Sequence, residues 1–130
     1  MTTAREVFAR FEDYVLGRGD DVWAPDIVFE LPFAAGGPSR IEGADHFREL
    51  TKDSRESLPV RFEEVRDVVV HETTDPHKII VEYTLAGVVT TTNTRASAPF
   101  IAVMVVRDGR IVLWREYQNT LAMAEALGSS

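Results

Sequence analysis

The chain has 130 residues, of which 45% are hydrophobic and 27% charged, and it carries a formal net charge of -7. This size and composition fit one compact domain, 1–130, with a core of its own. The acidic excess repels polyanions and the 14 basic residues are scattered, so we expect no nucleic-acid partner. The absence of cysteine excludes disulfides, thiolate metal sites and a cysteine nucleophile.

The N-terminal stretch MTTAREVFARFEDY places acids within the first turns and lacks a long apolar block. It therefore does not read as a signal peptide, and no window of the chain approaches the apolar length of a membrane span. We expect a cytoplasmic protein.

The first half of the chain predicts a helix, a strand and a second helix. Thr3 and Glu6 have the spacing of a capping box, and apolar residues follow at helical intervals up to Gly17. The segment 26-DIVFELPF-33 is typical of a strand, and AAGGPS after it is typical of a loop. From Gly43, ADHFRELTKDSRESL returns to helical spacing, and Phe47, Leu50, Ser54 and Leu58 fall near one stripe, in which Ser54 is the polar member.

The second half predicts four long strands, 60–72, 78–89, 97–106 and 110–118, and a short final helix within 120–128. Asp108-Gly109 is the pair favoured by type I′ hairpins. Long strands with brief connections form an antiparallel meander, so the fold class is α+β.

The strand 97–106 is apolar on both faces. Alternation puts Phe100, Ala102 and Met104 on one face and Ile101 and Val103 on the other. Helices cover one face of such a sheet, and a second copy of the chain is the economical cover for the other. We therefore expect a homodimer through the sheet.

The last strand carries an acid among large apolar neighbours. Alternation predicts that Val112, Trp114, Glu116 and Gln118 share one face, whereas Arg115 points to the other. A carboxyl group set among Trp114, Phe100, Ala102 and Met104 loses solvation, which suits proton transfer near neutrality. Glu116 is the candidate catalytic residue, and the alternative is one half of a structural ion pair.

Further candidates each have a structural alternative. Trp114 and Gln118 would shape the wall of a pocket or belong to an ordinary core. Ser54 could bind a ligand through its hydroxyl or bond its own helix turn. Tyr14 could offer a hydroxyl or lie in the apolar stripe, and Leu31 is expected to face inward in place of Glu30.

Metal and cofactor motifs are missing from the sequence. The three histidines have no ligand spacing with one another or with carboxylates, and AGGPS lacks the context of a phosphate loop. We expect no metal and no cofactor.

Two motifs give the chain a family resemblance over nearly its whole length. The segment 28-VFELPF-33 with the loop into 42-EGADHF-47, and above all 108-DGRIVLWREYQN-119, resemble the SnoaL-like branch of the nuclear transport factor 2-like superfamily. The hairpin 73-TTDPHKIIVEY-83 is most similar to that of the phenazine-biosynthesis A/B-type proteins. The resemblance implies a cone-shaped, curved, mixed but mostly antiparallel sheet wrapped around N-terminal helices.

The resemblance also implies site residues. Those phenazine proteins bring together two amino-ketone molecules with acid and base groups in the cone; Glu116 matches their strand acid, and Ser54 and Asp26 match two further polar positions. Leu50 stands where their histidine is. The acids of ketosteroid isomerase correspond to Leu31 and about Ala102, so the resemblance does not imply steroid isomerisation.

Three functions remain open. The first is a small-molecule enzyme in which Glu116 moves a proton during isomerisation, cyclisation or condensation of a ketone- or ring-bearing metabolite. The second is a non-catalytic carrier of a small hydrophobic molecule in the same cone. The third is a structural dimer module whose cone is filled by side chains. Whether Asp26 or Glu30 reaches the pocket is also open.

Overall fold

The structure is a computed structural model that describes residues 2–34, 36–57 and 60–126, without the side chains of 51–57, 123 and 126. Its elements in chain order are α1 (Ala4–Val15), β1 (Trp23–Leu31), β2 (Ser39–Glu42), α2 (Ala44–Ser57), β3 (Val60–Glu72), β4 (Lys78–Val89), β5 (Thr94–Arg107), β6 (Arg110–Gln118) and α3 (Thr120–Ala126).

Helix α1 begins at the predicted cap. The Oγ1 atom of Thr3 accepts a hydrogen bond from the backbone N–H of Glu6 at 3.1 Å, which satisfies one of the free donors of the first turn. The helix buries one stripe, formed by Ala4, Val7, Phe8 and Phe11. Capping and periodicity therefore predicted this element and its inward face correctly.

The strands form one curved, open, six-stranded sheet in the order β2-β1-β6-β5-β4-β3. Every neighbouring pair is antiparallel except β1 and β6, which are parallel. This confirms the predicted α+β class with a mixed, mostly antiparallel sheet.

The strand β2 was not predicted. Ser39 was assigned to a loop, but the segment pairs with β1 so that Val28 lies opposite Glu42 and Leu31 opposite Ser39. Strand β1 also begins at Trp23, three residues before the predicted start. Both differences come from pairing between distant segments, which local sequence patterns do not report.

The hairpin between β5 and β6 has the predicted turn and an unpredicted bulge. Asp108 and Gly109 have φ values of 53° and 76°, as a type I′ turn requires. Val105 pairs with Leu113 but Val106 pairs with Ile111, so β6 holds one extra residue. The prediction that Val112 shares the face of Trp114 is therefore wrong: Ile111 is fully buried and Val112 is half-buried.

Aromatic rings fill the space between α1 and the inner face of the sheet. The ring centroids of Phe11 and Trp114 are 4.4 Å apart, and Trp23 packs edge-on against Phe11 and Trp114. Helix α2 adds Phe47, which stacks on Phe29 at 4.2 Å. Helix α1 and Phe47 of α2 thus cover the inner face of the sheet.

Helix α2 is attached to the chain before β1 by an ion pair. Arg48 donates to both carboxylate oxygens of Asp21 at 2.8 and 3.0 Å, which holds the pKa of Asp21 below its usual value. Leu50 is 46% exposed, so the predicted apolar stripe of this helix is wrong at that position, whereas Phe47 is buried as expected.

In the described part of the chain, no helix is long and apolar enough to cross a membrane.

Gly87 on β4 lies so close to β3 that the space for a side chain is missing. A Cβ atom added there would lie 2.2 Å from the carbonyl oxygen of Arg61, a distance that requires the backbone of β3 to move. We expect Gly87→Ala to lower the free energy of unfolding by about 1–3 kcal/mol, measured by urea denaturation.

Gly19→Ala is the matched control, because its added Cβ would meet only the Cβ of Asp13 at 3.5 Å. It should change the unfolding free energy by less than about 0.5 kcal/mol. Equal stability of the two variants would show that the close approach of Gly87 to β3 does not make a side chain at this position destabilising.

Candidate active site

Glu116 lies on the inner face of β6, beside a small residue. Its register partner on β5 is Ala102, whose own partner on β4 is Val81. The next inward row consists of Tyr83, Phe100 and Gln118. Because Ala102 is small, the side chain of Tyr83 can cross from β4 toward the carboxylate on β6.

Three neutral donors hold the Glu116 carboxylate. The hydroxyl of Tyr83 donates to Oε1 at 2.8 Å, the Trp114 indole N–H to Oε1 at 3.3 Å, and the Gln118 amide to Oε2 at 2.9 Å. Donors alone surround this group, which is the hydrogen-bonding pattern of an ionised carboxylate. Of the side chains that the structure describes, no cation forms an ion pair with Glu116.

Tyr83 is an obligatory donor in this cluster. Its side chain is only 2% exposed, and its ring stacks on Phe100 with centroids 5.5 Å apart. Burial, and then the charge and hydrogen bond of Glu116, raise the pKa of Tyr83 well above its usual value. The phenol therefore keeps its proton and is the donor in its hydrogen bond to Glu116.

The carboxylate keeps one open position. A carboxylate has about four lone-pair sites, two on each oxygen. Tyr83 and Trp114 occupy both sites of Oε1, and Gln118 occupies one site of Oε2. The remaining site on Oε2 is the position from which Glu116 can accept a proton or a further hydrogen bond.

Four of the predicted wall residues belong to the packed core. Trp114, Ala102 and Met104 are 0% exposed, and Phe100 is 8% exposed. The prediction that Trp114, Ala102 and Met104 line an open pocket is therefore corrected, because α1 packs directly against this part of the sheet. Trp114 still reaches the site through its hydrogen bond to Glu116.

The remaining predicted residues lie around this core. Tyr14 and Leu31 are half-buried and pack against it, with the Tyr14 ring edge-on to Trp23. Neither is among the donors to Glu116. The Ser54 side chain lies outside the described residues, so its binding role stays a prediction.

The sequence left open whether Asp26 or Glu30 reaches the pocket, and neither of them contacts Glu116. Glu30 is opposite Arg115 on the outer face of the sheet and accepts its hydrogen bond at 3.2 Å. Asp26 is exposed and pairs with Arg107 at 2.7 Å. As predicted, Arg115 faces away from Glu116, which has no ion pair with it.

Sequence reasoning missed Tyr83. Alternation along 78-KIIVEYTLAGVV-89 places Ile79, Val81 and Tyr83 on one apolar face. A buried tyrosine needs a partner for its hydroxyl, which was the available signal. The identity of that partner depends on the register of β4, β5 and β6.

Within the described residues, no group of three or more His, Asp or Glu side chains could hold a metal ion. The expected absence of a cofactor stays a prediction.

The sequence comparisons identify the family. The model of the SnoaL-like domain matches residues 4–114, so the chain belongs to this family. The chain is 32% identical to protein YesE of Bacillus subtilis over 132 residues, which cover 98% of this chain and 88% of that protein. It is 37% identical to a PhzA/B-like protein of Pseudomonas aeruginosa over 109 residues, which cover 83% of this chain and 75% of that protein.

Solved structures agree with this assignment. A Bacillus subtilis protein described as a candidate isomerase superposes with a TM-score of 0.83 at 32% identity, over 98% of this chain and 94% of that one. A phenazine biosynthesis-related protein of Pseudomonas aeruginosa gives a TM-score of 0.75 at 24% identity, over 98% and 86% of the chains. A polyketide cyclase-like structure from Xanthomonas campestris shares the fold, with a TM-score of 0.73 at 20% identity. The superposition covers 95% of this chain and 96% of that one.

A double-mutant cycle tests the hydrogen bond between Tyr83 and Glu116. Tyr83→Phe keeps the ring but leaves the carboxylate one donor short, so it should lower the unfolding free energy by about 1–2 kcal/mol. In the background of Glu116→Gln the same change should cost less, with a coupling of about 1 kcal/mol. Urea denaturation of the four proteins measures both values.

Tyr117→Phe on the outer face is the control. No hydrogen bond of the Tyr117 hydroxyl is found among the described residues, so this change should have little effect. A coupling near zero between Tyr83 and Glu116 would contradict the importance of their hydrogen bond.

Proposed function

We propose that the protein is a cofactor-independent small-molecule enzyme in which Glu116 transfers a proton during isomerisation, cyclisation or condensation of a ketone- or ring-bearing metabolite. The observation that carries the proposal is the half-buried carboxylate held by three neutral donors, with one acceptor position open on Oε2. A fixed and accessible base of this kind is what abstraction of a proton beside a carbonyl group requires.

The proposed step begins when Oε2 takes a proton from the carbon next to a ketone. The electron pair of the broken C–H bond forms the enolate, whose charge moves to the carbonyl oxygen. When the ketone is conjugated with a C=C bond, return of the proton from Glu116 at the far end of the dienolate gives an isomer. When the enolate carbon instead attacks a second carbonyl carbon, the new C–C bond forms as the C=O π bond opens, and the resulting alkoxide takes the proton from Glu116, which closes a ring or joins two molecules. Tyr83, Trp114 and Gln118 hold the carboxylate in position throughout.

The proton-transfer step can be measured without the natural substrate. Nuclear magnetic resonance in deuterated water follows exchange of the α-protons of cyclic ketones such as cyclohexanone and tetralone. We expect the protein to accelerate exchange and Glu116→Gln to reduce that acceleration at least about 100-fold, because the amide is not a base.

Glu72→Gln on β3 is a control of equal charge change, since Glu72 is exposed and pairs with Arg5. This variant should exchange like the original protein. Full exchange activity in folded Glu116→Gln would refute the role of Glu116.

A non-catalytic carrier of a hydrophobic molecule is the second candidate. The observation that favours it is that the groups bonded to Glu116 are all neutral donors, with no second acid or base among them. A carrier would be stabilised against heat by the bound ketone while α-proton exchange stayed at the rate of the solvent.

We also propose that two copies of the chain associate through the outer face of the sheet. This face exposes Ile101 at 44% and Val69 at 47%, and Phe33 beside it is 61% exposed. A groove of about 430 Å³ is lined by Phe33, Pro99, Ile101 and Tyr117 on this side and also reaches the inward row of Tyr83, Phe100 and Gln118. Large apolar side chains that are exposed near one another on one face are a feature of interfaces.

The charges of the outer face are compatible with a second copy. Glu30 pairs with Arg115, and Glu82 lies 2.6 Å from His71. Carboxylates and their partners are thus side by side on the face, which limits repulsion when two identical surfaces meet.

Ile101→Glu should convert the proposed dimer to a monomer, because it places a charge within the apolar interface. Light scattering coupled to size-exclusion chromatography gives the mass directly. Ala9→Glu adds the same charge on the exposed side of α1 and should leave the dimer intact. A monomeric mass of the unaltered protein would exclude this interface.

A further inference from the structure

A histidine and a glutamate form a close pair within the apolar part of the outer face. The Nε2 atom of His71 on β3 lies 2.6 Å from Oε2 of Glu82 on β4. The register partners of Glu82 are Val69 on β3 and Ile101 on β5, and these two side chains are 47% and 44% exposed. A second copy of the chain that covers Val69 and Ile101 therefore also covers Glu82.

Glu82 is the one charged member of its row across the sheet. The partner of Ile101 on β6 is Tyr117, so the row reads valine, glutamate, isoleucine and tyrosine over four strands. Paired residues of neighbouring strands point to the same face. The carboxylate thus lies between apolar side chains, and His71 is the described side chain to which it is hydrogen-bonded.

A cover over this face makes the charge of His71 important. In the free subunit the side chains of His71 and Glu82 are 51% and 48% exposed, so water screens their charges. Under a cover, ionised Glu82 beside a neutral histidine is a desolvated net charge, which is costly. Ionised Glu82 beside a protonated histidine is instead a pair without net charge. The covered face therefore holds the histidine proton more tightly than the free face does.

We propose that the pair of His71 and Glu82 makes the association of two copies depend on pH, with a tighter dimer at about pH 5.5 than at about pH 8.5. Linkage determines the sign, because the state that holds a proton more tightly gains as the pH falls. A carboxyl group itself takes up a proton near pH 4 and below, which sets the lower end of the effect. The inference rests on the dimer of the proposed function and adds its regulation.

His71 is the group of this surface whose charge changes in that range. Glutamate, aspartate, arginine, lysine and tyrosine side chains ordinarily keep one charge state between about pH 5.5 and 8.5. On β5 the pair faces Ile101 and Val103, which do not titrate. The titratable or charged side chains around the pair on the described outer face are Glu64, Arg66 and Asp67 of β3, Lys78 of β4, Arg115 and Tyr117 of β6 and Glu30 of β1.

Fluorescence-detected sedimentation of the labelled full chain, over a dilution series at constant ionic strength, measures the Kd of the dimer at both pH values. We expect the Kd to be at least about tenfold lower at pH 5.5, because each dimer holds two such histidines and a threefold tighter grip on each proton gives this change. The pH dependence should disappear in His71→Gln, which cannot take up a proton.

His77→Gln is the matched control. This histidine lies 3.5 Å from Asp75 in the turn before β4, away from the row of Glu82, so the variant should keep the pH dependence. Glu82→Gln provides a second test, because a protonated histidine is then the unpaired charge. In that variant the dependence should reverse, with the weaker dimer at pH 5.5.

A Kd that is equal at the two pH values, or higher at pH 5.5, overturns the inference and leaves the proposed interface in place. A dependence of unchanged sign in folded His71→Gln or Glu82→Gln overturns it as well, and circular dichroism reports whether each variant folds. A monomeric mass at both pH values removes the dimer itself, and this inference with it. The failure of the dimer and the failure of its pH dependence are thus distinguishable.

Discussion

The hydrogen bond from the Tyr83 phenol to Oε1 of Glu116, 2.8 Å long, connects the core to the candidate chemistry. Tyr83 is fixed by stacking on Phe100, and Trp114, the second donor to the same oxygen, is fixed by Phe11 of α1. Packing of the first helix on the sheet therefore determines the orientation of the carboxylate. A half-buried acid held in this way loses little freedom when a ligand arrives.

Because of its bulge, strand β6 contributes Ile111 and Trp114 to the core and also directs Glu116 to the inner face. Ile111 and Trp114 are both fully buried although they are three residues apart, because the extra residue at Val112 shifts the register. Beyond the bulge, regular alternation resumes and turns Glu116 inward and Arg115 outward. Alternation alone was therefore correct for the site and wrong at Val112, since the period of two holds only where pairing is regular.

Local signals predicted most of the elements, and non-local pairing accounts for what they missed. The cap at Thr3, the Asp108-Gly109 turn and the bounds of β3, β4 and β6 follow from neighbouring residues. Strand β2, the parallel pairing of β1 with β6 and the contact of Tyr83 with Glu116 join segments distant in sequence. For the same reason, Glu116 could be singled out from its strand while its donor on β4 could not.

Close packing of the described residues around Trp114 limits how a ligand can approach Glu116 from their side. Trp114, Ala102 and Met104 have no exposed surface, so the packing that orients Glu116 also removes the deep apolar wall that the sequence suggested. A ligand that leaves this core closed must therefore meet the carboxylate at its open position on Oε2.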